Sequence, residues 1–587
     1  LKIFLNTAIY FNENFELYAN ASYMDSETRG GFFYRGPVLP AQYGIAGRPT
    51  LIRDLNGDFL PDNADPAFVA NMIAQGFNPA DYLTASASSP SGWVELNPIH
   101  TMFPGGYSPI FGADIMDYAV VAGARGLVTQ ELSWDFTLRT AEDEVEYVLE
   151  GSINPSLGQL SPTTFNPGTL TQEESSANLD FVKTFGTSPL NLAFGLEWRD
   201  ETYSIGQGDQ GSIEVGPTYT VFGVGSDGFQ GFFPATVGKW DKDSYAAYVD
   251  VETNLTDRFS TGAAVRWEDH DDFGSTTDFK LSGRFQFTDD FAGRATFNTG
   301  FRVPTPGQVN TLNVTTSANQ AGQLIPSGFY PVDHPVALAL GATPQETEES
   351  DSFTVGVVWQ AAANFSATLD VYQINIDDRI GALDKTVNQA AVDQLIAAGY
   401  PDAQLLLNTA ASYFSNAFDS EVFGVDLMLD AYHDVWGGVL NSSLRYNYND
   451  QEVKNIKPGT INQSRAYDLE NQVPNSRGML GFDWANERWG GLLRFNYYGG
   501  WSTTGGLFSP GNASDASSYG SEVLVDLEAH LDFGDMFRVT VGGDNIFDTY
   551  PGKEKDGTFQ FLGAVYSVTS PFGFNGALWY VRGSVFF

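Results

Sequence analysis

The chain has 587 residues, with 72 Asp and Glu against 30 Lys and Arg, a net charge of −42 at pH 7. That acid excess excludes a nucleic-acid partner, because phosphate binding needs clustered Lys and Arg, and the absence of cysteine excludes disulfide scaffolds, thiolate metal sites and cysteine nucleophiles. Aromatic residues at 14% beside charged residues at only 17% leave a thin charge density for a water-soluble surface of this size, and no run approaches the roughly 18 apolar residues of a transmembrane helix.

The chain opens on Leu1-Lys2-Ile3-Phe4, strand-like at once, with no initiator Met and no basic segment followed by a cleavage site, and reads as a cut end. Period-two alternation then dominates. It predicts strands over 2–11, 15–25, 117–128, 131–140, 174–184, 190–204, 243–255, 258–270, 277–288, 290–301, 350–360, 365–377, 414–431, 437–448, 477–486, 489–499, 521–533, 537–547 and 575–587, about 19 in all. Over Ser244 to Leu255 one parity reads Tyr245, Ala247, Val249, Val251 and the other Ala246, Tyr248, Asp250, Glu252. One helix is predicted, from Asn388 to Ala398.

Such alternation fits a soluble sandwich, with one face in a core, or a membrane barrel, with its apolar face toward lipid and its polar face toward a wet lumen. Three features favour the barrel. Full charges of both signs stand in strand centres, segments run about 10–13 residues, as a tilted spanning strand requires, and connections alternate between short and long. Tight turns fall near Asn12-Glu13-Asn14, Thr129-Gln130, Ser188-Pro189, Thr256-Asp257-Arg258, Asp289-Asp290, Ala362-Ala363-Asn364, Asn486-Glu487 and Gly534-Asp535. Between them lie Gly/Pro/Asn/Asp-rich excursions over 26–116, 142–173, 206–242, 302–349, 378–412, 449–476 and 500–519, the first being a long extracellular loop. The last strand alternates Trp579, Val581, Gly583, Val585 and Phe587 against Arg582 and Ser584, an apolar edge ending on Phe587 that would serve as an assembly signal.

Several segments resemble one family. Arg294-Ala295-Thr296-Phe297-Asn298-Thr299-Gly300-Phe301-Arg302-Val303-Pro304, Asp333-His334-Pro335, Leu369-Asp370-Val371-Tyr372, Phe423-Gly424-Val425-Asp426 and Asn545-Ile546-Phe547-Asp548-Thr549-Tyr550 follow, in order, blocks of the C-terminal barrel of TonB-dependent outer-membrane receptors. The resemblance covers about 117 to 587. It implies an all-β fold, a transmembrane antiparallel β-barrel of the type with about 22 strands and a plugged lumen, of which about 19 strands are present. Residues 1–587 would then be barrel, with the plug domain and about three strands lying upstream, and the present sheet would carry open edges.

Parity places Asp250, Glu252, Asp370, Asp426, Asp430, Asp526 and Glu528 in the lumen with Arg266, Arg294, Arg302, Arg445, Arg538 and Arg582, since a charge facing lipid at mid-depth costs about 2–4 kcal/mol. In the family such groups hold the plug or line the substrate path; a solvated wall is the plainer reading. Asp54, Asn56, Asp58 and Asp62 offer oxygens at i, i+2, i+4 and i+8 around Gly57, as calcium needs, or form an Asx-rich turn. Trp267-Glu268-Asp269-His270-Asp271-Asp272 is a metal-binding group or a solvated rim. The loops carry Trp93, Phe103, Tyr107, Phe111, Tyr219, Phe222, Phe229, Phe232, Phe233 and Tyr330. In the family, aromatic loops form the outer capture site; the alternative is packing of loops on one another. No Ser/His/Asp spacing, carboxylate-pair motif or phosphate loop stands out, so no enzyme activity is expected.

These readings imply a bacterial outer-membrane receptor that imports a scarce nutrient (siderophore-iron, cobalamin, carbohydrate or similar) by energy-coupled transport. Its partners would be outer-membrane lipid, the barrel-assembly machinery, and the TonB complex through the N-terminal part. The alternatives are a passive porin and a surface docking or adhesion barrel.

Overall fold

A computed structural model of the chain describes residues 1–32, 34–35, 51–53, 84–85, 93–95, 102–103, 106–186, 188–216, 223–318, 324–505, 516–561 and 563–586. The alternating segments become the strands β1 (Lys2–Asn12), β2 (Phe15–Gly31), β3 (Ile110–Thr129), β4 (Leu132–Glu150), β5 (Thr164–Phe185), β6 (Ser188–Gly206) and β7 (Gly238–Thr256). They continue as β8 (Phe259–His270), β9 (Gly274–Thr288), β10 (Phe291–Arg302), β11 (Glu348–Ala362), β12 (Phe365–Thr386) and β13 (Ala410–Val435). The last are β14 (Gly438–Lys454), β15 (Ser476–Ala485), β16 (Trp489–Tyr498), β17 (Glu522–Phe533), β18 (Phe537–Asp544) and β19 (Leu578–Val585). All nineteen belong to one 21-stranded sheet, whose other two strands are the loop hairpin Asn313–Ala318/Leu324–Phe329. Each wall strand pairs antiparallel with its chain neighbours, while among the described residues β1 pairs only with β2 and β19 only with β18. The expected open edges are therefore present.

The apolar parity is uncovered, which decides against a sandwich. Val249, Val265, Phe279, Phe297, Phe353, Leu527 and Val581 are all exposed. Val249 lies opposite Phe194 and Val265, and the row extends through Phe181 and Phe279. A continuous apolar band without an interior partner is what hydrocarbon covers.

Connections on one side are tight, such as Asp257-Arg258 and Asp289-Asp290, and those on the other are long. Several strands run beyond their predicted ends on the long-loop side: β4 reaches Glu150 and β13 begins at Ala410. There the sequence Ala141-Glu142-Asp143-Glu144-Val145-Glu146 loses its apolar parity because both faces have left the membrane, yet the ladder continues, with Glu142 opposite Glu173.

The helix predicted over Asn388 to Ala398 is found at Gln389–Ala397, with the Asn388 side chain accepting from Ala391 N. Its Ala391, Val392 and Leu395 join Tyr330, Val336, Leu383, Tyr413 and Phe418 in an extracellular core that needs no lipid. A short helix, Pro335–Ala339, enters this core capped by His334, whose Nδ1 accepts from Val336 N at 3.2 Å. Burial lowers the His334 pKa below its ordinary 6.5, against the opposing charge of Asp333. The neutral imidazole is therefore the capping form. Its stabilisation is complete above about pH 6.5 and is lost as pH falls through the lower folded value. Amide exchange of Val336 to Leu340, corrected for intrinsic rates, should accelerate between pH 7.5 and 5.5 by the worth of one cap, about 0.5–2 kcal/mol. His334→Asn, which keeps an acceptor, should abolish that acceleration.

Candidate functional site

The inward face is built by register. Tyr18 of β2, Gly123 of β3 and Thr137 of β4 lie in one row, and the phenol crosses the glycine to meet Thr137 Oγ1 and Asp135 Oδ1, both at 2.6 Å. The same three-strand arrangement recurs. Tyr248 crosses Gly195 and donates to Asp180 at 2.6 Å, and Tyr580 crosses Gly542 and donates to Glu528 at 2.7 Å. Tyr372 crosses Gly424 and accepts from Asn449 at 3.2 Å. Arg294 does the same over Gly356, gripping Asp370 at 2.9 and 2.6 Å. Glycine is required because a side chain there would occupy the space of the crossing ring: a Cβ on Gly195 would stand 2.6 Å from Tyr248 Cε1 and 3.0 Å from the Leu179 carbonyl. Gly195→Val is expected to destabilise the folded wall by about 1–3 kcal/mol. Gly583→Ala, with nothing within 4 Å, should stay within about 0.5 kcal/mol; urea unfolding in bilayers measures both.

Of the residues predicted for the lumen, Asp370, Asp426, Asp526, Glu528, Arg266 and Arg582 fall into such networks. Asp426 accepts from Asn447 at 2.7 Å. Arg266 bridges Glu268 at 2.7 Å and Glu197 at 3.3 Å, and Arg582 lies 3.7 Å from Glu528. Asp526 is a buried hub for Arg494, Asn496 and the Asn545 amide. Asp250 and Glu252 share the Tyr248 face of β7, and Glu252 lines a polar recess with Asn191, Arg284 and Arg294. Arg302 stands at the end of β10, 3.7 Å from Glu348. The partners Asp180, Glu197, Arg494 and Tyr580 were not anticipated; their inward parity was the available signal.

Of the predicted loop aromatics, Tyr219 and Phe222 lie outside the described residues, and Phe103, Tyr107, Phe111, Phe229 and Phe232 pack on other rings. Phe229 lies 4.7 Å from Phe111 and 5.1 Å from Tyr147, and Phe232 meets Phe229 edge-on at 6.0 Å. Tyr107 and Phe232 are buried, whereas Phe233 is half-buried. Tyr107 also donates its hydroxyl to Asp227 at 2.7 Å, beside Arg35 Nε at 3.0 Å, so the stem of the first long loop is clasped to the 207–237 loop. Burial pushes the Asp227 carboxyl pKa up, with Arg35 and Tyr107 opposing.

His270 is buried, with Nε2 3.0 Å from Glu268 Oε1 and its ring edge-on to Phe301. Asp269 shares a row with Tyr245 on the opposite, outward face. No group of three metal-ligating side chains occurs among the described residues. Trp93 belongs to a short strand, Trp93–Glu95, paired with Leu51–Arg53. Asp54, Asn56, Asp58, Asp62 and Phe587 lie outside the described residues.

The arrangement is a wall of antiparallel strands, apolar on one face and polar on the other, with folded loop segments at the end where the long connections gather. The sequence profile of the family described as TonB dependent receptor-like, beta-barrel matches residues 14–546. A sequence comparison with curated proteins finds no match. Among solved structures, the siderophore receptor PirA from Acinetobacter baumannii superposes with a TM-score of 0.56 at 13% identity, over 100% of this chain and 70% of that one. The ferric-catecholate import receptor Fiu from K12 E. coli gives 0.57 at 11% identity, over 100% and 74%. The ferric yersiniabactin uptake receptor FyuA from Yersinia pestis gives 0.52 at 13% identity, over 98% and 69%. A match over most of the chain, on a wall of alternating strands with a polar interior, places the protein in the Gram-negative outer membrane, and the chain belongs to the TonB-dependent receptor β-barrel family.

Proposed function

We propose that this receptor imports a scarce nutrient by energy-coupled transport. The observation that carries the reading is the pairing of a continuous polar wall with a folded loop canopy at the end where the long connections gather. A wide lumen of this kind needs a gate, and the reading includes a plug and about three strands N-terminal to Leu1. Those strands would close the seam between β1 and β19, because unpaired edges in hydrocarbon leave each backbone group unsatisfied at several kcal/mol. TonB would act through that N-terminal part. The shared fold with siderophore and ferric-chelate receptors makes iron chelates the first nutrients to try. The test is uptake by cells expressing the full-length receptor, with and without TonB. Uptake is expected to fall to background without TonB; uptake that is unchanged would instead establish a passive pore.

A further inference from the structure

We propose that the lumen mouth between β15 and β18 binds a planar anion, a carboxylate or phenolate carried on an aromatic ring, with Arg477 as its counter-ion and Tyr498 and Phe572 as its walls. The inference rests on the import reading above and names a ligand class for it.

A cavity of about 500 Å³ opens here, lined by Arg477, Arg494, Asn496, Tyr498, Asn545 and Phe572. Arg477 begins β15, Tyr498 ends β16 and Asn545 follows β18, so the cavity sits at the extracellular ends of consecutive strands. Phe572 reaches it from the loop before β19.

The two arginines differ. Arg494 is neutralised by Asp526 at 2.9 Å, whose oxygens also take Asn496 Nδ2 at 2.7 Å and the Asn545 amide at 2.9 Å. Arg477 has no carboxylate in ion-pair range among the described residues; its guanidinium makes one long contact, 3.5 Å, to the Tyr498 hydroxyl. Other wall arginines in this acidic chain are paired: Arg266, Arg294, Arg445, Arg538 and Arg582 each have a carboxylate. Among the described residues Arg284 and Arg379 also have no carboxylate in ion-pair range, but Arg284 lies toward the short-turn end of β9, and Arg379 donates to Ser420 Oγ at 3.2 Å and lies 5.6 Å from the Phe418 ring centre. Arg477 is thus a positive charge at the mouth that faces an exposed cavity.

The geometry specifies a flat ligand. The Arg477 guanidinium carbon lies 5.1 Å from the Tyr498 ring centre, and the Phe572 ring lies 5.2 Å from Tyr498. A guanidinium over an aromatic face offers its N–H fork edgewise to a carboxylate while rings stack alongside. Two acids narrow the class. Glu522 lies opposite Tyr498, and Asp544 lines the far side, three strands from Arg477, roughly 14 Å at the usual strand spacing. They repel a polyanion and leave room for one compact anionic group at Arg477, with Asn496 and Asn545 beside the rest of the molecule.

The experiment uses the full-length receptor purified from outer membranes, with salicylate as the probe and ligand-observed NMR titration as the readout. Benzamide supplies the ring without the charge, and acetate the charge without the ring. Salicylate should bind saturably and at least tenfold more tightly than either. Arg477→Gln should weaken it at least about tenfold, the worth of one charge-assisted hydrogen bond. Arg477→Lys, which keeps the charge but not the fork, should fall between, and Arg258→Gln at a short turn should change nothing. Circular dichroism and heat-dependent gel mobility verify that each variant is folded. Absence of saturable salicylate binding, equal binding of benzamide, or an Arg477→Gln receptor that binds normally would overturn the assignment. The titration needs neither TonB nor energy, so its failure leaves the import reading intact, while TonB-independent uptake would sink that reading and leave the pocket.

Discussion

Replacing Asp227 with alanine is expected to release the first long loop from its neighbour while the membrane wall stays folded. The Asp227 carboxylate takes the Arg35 Nε and the Tyr107 hydroxyl, and the side chains of Asp227 and Arg35 are only 13% and 12% exposed. Arg35 and Tyr107 also exchange backbone hydrogen bonds, at 2.6 and 3.0 Å, so both stems of that loop meet at one carboxylate. The Asp227 backbone is held as well, with its amide donating to the Ile153 carbonyl at 2.7 Å and its carbonyl accepting from Ser152. Removing one member of a buried ion pair costs up to about 3–5 kcal/mol, and here it also removes the acceptor that ties Arg35 and Tyr107 to the 207–237 loop. Hydrogen exchange at Phe32 to Arg35 and Ser152 to Asn154 should accelerate by the corresponding factor, with strand amides of β7 and β8 unchanged. Exchange at the loop stems that matched wild type would show that the aromatic cluster alone holds the canopy. Asp227→Asn, which keeps the shape but not the charge, should fall between.

The second large effect separates two adjacent residues. Val249→Arg should destabilise the folded receptor in a bilayer by about 2–4 kcal/mol, the cost of a cation near mid-depth on the lipid face. Asp250→Arg, one residue on, should stay within about 0.5 kcal/mol. Val249 belongs to the outward row with Phe194 and Val265, whereas Asp250 shares the face of Tyr248, which reaches Asp180 across the lumen wall. Urea unfolding in phosphatidylcholine bilayers compares them. Equal costs at the two positions would mean that the faces have been assigned wrongly.

Particular elements show how much of the fold could be read from residues. Strand β8 was legible to within a residue at its start, and β7 from residue 243 onward though not over 238–242, because one parity must meet hydrocarbon while the other meets water. The helix Gln389–Ala397 was legible from its Asn cap and apolar spacing. The helix Gln463–Asn471 was not: Tyr467 and Leu469 are its only large apolar side chains, and it is held instead by Asp468, which takes the Thr504 amide and hydroxyl, each at 2.6 Å. The hairpin Asn313–Ala318/Leu324–Phe329 was likewise missed, since its anchor is a short parallel pairing of Gly328 and Phe329 with Ala411 and Ser412. In the site, parity placed Asp370, Asp526 and Glu528 on the polar face, where each has a hydrogen-bond partner. It did not show that Tyr580 crosses a glycine to reach Glu528, 52 residues away in the chain.

The family was legible only as a resemblance of motif blocks such as Gly300-Phe301-Arg302-Val303-Pro304, whereas chain order and residue alternation were enough to indicate a membrane-barrel wall, its strand directions, and the sides of its short and long connections. Each of these follows from a local demand, an apolar or polar side chain at every second position, that the solvent imposes on one strand at a time. Which tyrosine crosses which glycine, which arginine keeps a carboxylate and which stands open at the mouth, and whether a loop aromatic faces water or another ring, depended on the register of neighbouring strands and the packing of distant loops. Those are contacts between segments far apart in the chain, and no local pattern encodes them.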